Sequence, residues 1–102
     1  MHVANSQTPF FTWMPDCGVA FLMVFAETGN STAWTVYAQN SAAENPISSG
    51  VRYGRTPFNS SSITGPDQLQ HGVAYVVQVA RMICKSGTPC RLVPAGEARF
   101  QP

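Results

Sequence analysis

Clusters of turn-forming residues cut this chain into short pieces, and their spacing constrains the fold more than any other feature. They fall at Pro15-Asp16-Cys17-Gly18, Thr28-Gly29-Asn30-Ser31, Asn45-Pro46 with Ser48-Ser49-Gly50, Asn59 to Ser62, Gly65-Pro66-Asp67, and Ser86 to Pro89. Between them lie segments rich in Val, Phe, Tyr, Trp and Thr, side chains that suit a pleated surface. Helix punctuation is weak throughout. The best helical rival, Val19 to Glu27, is rich in Phe and β-branched residues and tightly flanked by Gly or Pro, which favours a strand. Six or seven strands are expected: one near Val3 to Ser6, then Phe10 to Met14, Val19 to Glu27, Ala33 to Gln39, Gly50 to Tyr53 continuing to Ile63, Val73 to Ile83, and Arg91 to Phe100, irregular at Pro94 and Gly96. Such spacing predicts an all-β fold, an antiparallel two-sheet sandwich of about seven strands.

With 102 residues and 44% apolar content, the chain makes one domain, 1–102, expected to be excised from a larger protein. Charged residues are only 11%, which excludes coiled coils and charged disordered tails. Six basic against five acidic residues leave a net charge of +1, so the chain carries no electrostatic footprint for nucleic acid. Val19 to Ala26, the longest apolar run, falls far short of the roughly 20 residues a membrane-spanning helix needs, and no membrane insertion is expected.

Cys84 and Cys90 enclose Lys85-Ser86-Gly87-Thr88-Pro89, whose Gly and Pro favour a turn that brings the ends together. A Cys84–Cys90 disulfide is predicted, with Cys17 free, in an extracellular, cell-surface or periplasmic setting. A zinc site would need a second ligand pair, which His2 and His71 do not form, so no metal and no cofactor are expected.

Catalysis needs nucleophile, base and orienting group to converge, and two histidines give little scope for that. His71 reads as a solvated loop residue. Asp16, Glu27, Glu44, Asp67 and Glu97 sit on different turns or strand ends, and the glycines are isolated, so neither a paired-carboxylate site nor a phosphate loop is present. The domain is not expected to be an enzyme. Asn30-Ser31-Thr32 and Asn59-Ser60-Ser61 are acceptors for N-glycosylation in a eukaryotic secreted protein. Trp34, Tyr37, Tyr53 and Phe58 read as core or cross-strand aromatics, with a sugar-stacking platform as the alternative.

Four pieces of the chain, in order, resemble a fibronectin type III domain. Phe11-Thr12-Trp13-Met14-Pro15 is similar to that family's second strand, and Phe21 to Gly29 to its third. Leu69-Gln70-His71-Gly72-Val73-Ala74-Tyr75 matches its leucine, loop glycine and tyrosine, and Tyr75 to Ala80 its sixth strand. The resemblance implies an immunoglobulin-like sandwich with Trp13, Phe21, Met23, Phe25, Leu69, Tyr75, Val77 and Val79 buried. It also implies that Cys17 lies at the same end as the last hairpin, within reach of either other cysteine. Gly50-Val51-Arg52-Tyr53-Gly54 resembles a segment of the sandwich domain that precedes the catalytic domain in purple acid phosphatases.

With Phe21, Met23 and Phe25 turned inward, Leu22 and Val24 face outward beside Val76. Three apolar neighbours on a solvent face predict a surface covered by a neighbouring domain or a protein partner. The expected function is that of an extracellular or cell-envelope module serving as spacer or protein-binding unit. The alternative is an accessory domain of a secreted hydrolase, such as a phosphatase or glycosidase, packed on the catalytic domain or contacting carbohydrate.

Overall fold

The computed structural model describes residues 1–14, 18–29, 31–38, 45–57 and 59–102. Eight strands form: β1 (His2–Ala4), β2 (Phe10–Thr12), β3 (Phe21–Ala26), β4 (Thr32–Ala38), β5 (Val51–Arg52), β6 (Ser60–Thr64), β7 (Tyr75–Ile83) and β8 (Arg91–Phe100). They build two antiparallel sheets, one in the order β1-β2-β5 and the other in the order β6-β4-β3-β7-β8. No helix is present among the described residues, and none is long and apolar enough to cross a membrane.

The expected strand from Gly50 to Ile63 divides in two. Gly54 adopts a φ of +86°, a left-handed turn that a residue with a Cβ resists, and Arg55 N–H closes it by donating to the Arg52 carbonyl. The chain therefore leaves β2's sheet after Arg52 and joins β4's sheet at Ser60. In β7 and β8 the anticipated irregularity is a register shift between Val79 and Ala80, opposite the stretch containing Pro94 and Gly96.

Phe11 and Val51 from the small sheet, with Trp13 just after β2, meet Leu22, Val24, Trp34, Val36, Val77, Val79 and Phe100 from the large one in a single core. Phe11 and Phe100 bring their ring centroids to 5.6 Å across the gap between sheets. Trp13, Leu69, Tyr75, Val77 and Val79 are buried as expected. The Tyr75 ring lies against Phe100, and its hydroxyl accepts the Gln70 N–H at 2.9 Å, fixing the loop that leads into β7.

Strand β3 corrects the sequence reading. Leu22 and Val24 are fully enclosed, whereas Phe21, Met23 and Phe25 are half-buried on the opposite side. The ladders show why: Leu22 stands opposite Val36 and Val79, and Val24 opposite Trp34 and Val77, all of them core residues. Directly opposed residues share a face, so the set matched to the neighbours' core residues turns inward. Leu22 and Val24 cannot form an outward contact surface. Val76 does lie on the outer side, opposite Phe25, but is only 8% exposed.

Candidate functional site

The outer side of the large sheet departs from an ordinary solvated face. Along β3 it presents Phe21, Met23 and Phe25, where a half-exposed antiparallel sheet normally places polar residues. The flanking strands extend the stripe: Tyr37 of β4 and Ala80 of β7 stand level with Phe21, and Val76 stands level with Phe25. Tyr37 is 38% exposed, with its ring centroid 4.9 Å from that of Phe21. At the β7–β8 irregularity a hollow of about 400 Å³ opens on this side, lined by Phe21, Gln78, Ala80, Pro94 and Glu97 together with Val79 and Gly96.

Polar groups on this face satisfy one another. Gln78 Nε2 donates to Glu97 Oε1, and Arg99 pairs with Glu27 at 2.7 Å. Arg99 and Glu27 cancel each other's charge, and Glu97 keeps its charge at the edge beside the neutral Gln78, so the face offers apolar area inside a polar rim. The small sheet contrasts with it. On that sheet Phe10 stands opposite Arg52, whose guanidinium lies 4.9 Å from the ring centroid and shields it from water.

The sequence-predicted sites separate. Cys84 and Cys90 form the expected disulfide at the exposed tip of the β7–β8 hairpin, a bond typical of non-reducing surroundings. Cys17 and Asn30 lie outside the described residues, as do Phe58, Asp16 and Glu44. Asn59 is exposed in the turn before β6 with a φ of +61°. The aromatic platform does not assemble. Trp34 is fully enclosed and donates its indole N–H to Ser62 Oγ at 3.0 Å, and its ring packs edge-on against the buried Tyr53 at 5.2 Å. Only Tyr37 of the described members faces solvent. His71 is exposed in its loop, and among the described residues no three His, Cys, Asp or Glu side chains group as metal ligands.

Sequence reasoning missed Phe21, Met23 and Phe25 as surface residues. The usable signal lay in the next strand, where buried Trp34 and Val36 alternate with Thr35 and Tyr37 and mark the core side of β4. Comparison of the chain with protein-family models, curated proteins and solved structures finds no match.

Proposed function

We propose that this chain is a fibronectin type III-like module of an extracellular, cell-surface or periplasmic protein, working by surface contact as a spacer or protein-binding unit rather than as an enzyme. The strand arrangement supports the family reading. The first, second and fifth strands share one sheet, and the third and the last two share the other, as in immunoglobulin-type sandwiches. The Tyr75 hydroxyl bonded back to Gln70 matches the tyrosine corner of such folds. The Cys84–Cys90 disulfide supports the compartment.

One observation carries the contact role: the apolar outer face on β3, with Phe21, Met23 and Phe25 in line, Arg99 paired with Glu27 and the Glu97 carboxylate held by Gln78. Burial of such side chains gives on the order of 1.5 to 3 kcal/mol each for complete removal from water, without any ionic term. The test places a photocrosslinking amino acid at Phe25, and in a separate variant at Thr88 on the hairpin tip, in the chain produced in its own source. Protein crosslinks from Phe25 and none from Thr88 are expected. Crosslinks from Thr88 alone would overturn the reading.

A further inference from the structure

We infer that the outer face of the large sheet binds a second copy of this chain, two β3 strands stacking across a two-fold axis that runs along them. The inference rests on the contact reading above and names its partner. A two-fold interface requires a surface complementary to itself, and this face meets that requirement in shape. With the axis along β3, β4 of one copy lies over β7 of the other, and residues at the same level face each other. Tyr37 and Ala80 both stand at the level of Phe21. The solvent-facing Tyr37 ring of each copy, resting on Phe21, therefore meets the hollow beside Ala80 and Pro94 of the other, twice over.

Charge selects the same axis. Glu97 stands level with Gln78 and Met23, and its counterpart across the axis is Thr64 on β6, a hydroxyl that can donate to it. Turning the axis across the strands at Met23 would instead stack Glu97 on Glu97 and Tyr37 on Thr32, pairing like charges and leaving the hollow unfilled. Area sets the strength. Five strands at about 4.8 Å and six residues at about 3.4 Å make a face of roughly 24 by 20 Å, about 1,000 Å² for two copies, the range of weak and transient complexes.

Sedimentation equilibrium of the purified chain from about 10 μM to about 1 mM, the span over which weak complexes form, reads the association. The apparent mass should rise from the 11.0 kDa monomer toward twice that value. Met23→Lys should weaken association at least tenfold with an unchanged circular dichroism spectrum, and Tyr37→Ala should weaken it as well. Orientation is read by mixing Tyr37→Cys and Ala80→Cys chains, each carrying Cys17→Ser, which should form a mixed disulfide dimer. A monomer at every concentration overturns the inference, as does association that Met23→Lys and Tyr37→Ala leave unchanged. A mixed dimer that fails to form while association persists overturns the axis. If the chain stays monomeric while Phe25 crosslinks to a different protein, the contact reading stands without this partner; if neither occurs, both fall.

Discussion

Val24 of β3 lies directly opposite Trp34 of β4, and both are fully enclosed. That pairing sets the parity of the central strand of the large sheet, because the indole fills the gap between sheets and its cross-strand partner must turn the same way. The outer face follows from it. Once Leu22 and Val24 are committed to the core, Phe21, Met23 and Phe25 are left on the outside, and the face they form is apolar by default.

Trp13 anchors the small sheet to this core. The Ser49 side chain grips its backbone at both polar groups, accepting the Trp13 N–H at 2.8 Å and donating to the Trp13 carbonyl at 3.3 Å. Trp13→Ala should cost about 3 to 5 kcal/mol in denaturant unfolding, the range for removal of a large buried aromatic. A loss under about 1 kcal/mol would place Trp13 outside the core.

Gly65 should tolerate no side chain. Its φ is +71°, and an added Cβ would fall 2.0 Å from the Ala33 carbonyl oxygen, an atom also held by the Asp67 N–H at 2.9 Å. Backbone on both sides has to move, so Gly65→Ala should destabilise by about 2 kcal/mol or more, adding a collision to the ordinary cost of a left-handed residue. Gly87→Ala, whose φ is +81° with open space around the added atom, is the control. Equal thermal shifts for the two would contradict the account.

Tyr53 gives the protein an alkaline limit. Burial pushes its hydroxyl above the usual 10.0, and the Asp67 carboxylate pushes it further. The folded state thus holds the phenol proton that the unfolded chain releases. This stability is fully present below the unfolded pKa and is lost as pH rises through the folded one. Unfolding midpoints should fall more steeply above about pH 10 in the wild type than in Tyr53→Phe, which lacks the titrating group. Parallel pH profiles would show that Tyr53 is not the source.

The Cys84–Cys90 bridge closes a loop of sequence separation 6. A loop that short restricts the unfolded chain only modestly, and Cys84→Ser with Cys90→Ser should cost about 2 kcal/mol while preserving the fold. Complete unfolding on reduction would mean that the hairpin organises more than its own tip.

Turns made the all-β class and all but one of the strands legible, and the ordered motifs around Trp13, Leu69 and Tyr75 made the sandwich core legible. Strand β3 was ambiguous for a physical reason. Both of its alternating sets, Phe21-Met23-Phe25 and Leu22-Val24-Ala26, are apolar, so a period of two reveals a strand without revealing which side is in. The larger rings pointed to the wrong answer. What decides is register against β4 and β7, a tertiary property set by pairs such as Ala26 with Tyr75. The division of β5 from β6 was hidden similarly, since nothing local shows that the turn at Gly54 carries the chain to the other sheet.

Covalent surface labelling of the dilute chain with a photogenerated carbene, read residue by residue through peptide mass spectrometry, tests the orientation of β3 most directly. Modification should concentrate on Met23, Phe25 and Tyr37 and spare Leu22 and Val24. Labelled Leu22 and Val24 beside protected Met23 and Phe25 would contradict the account.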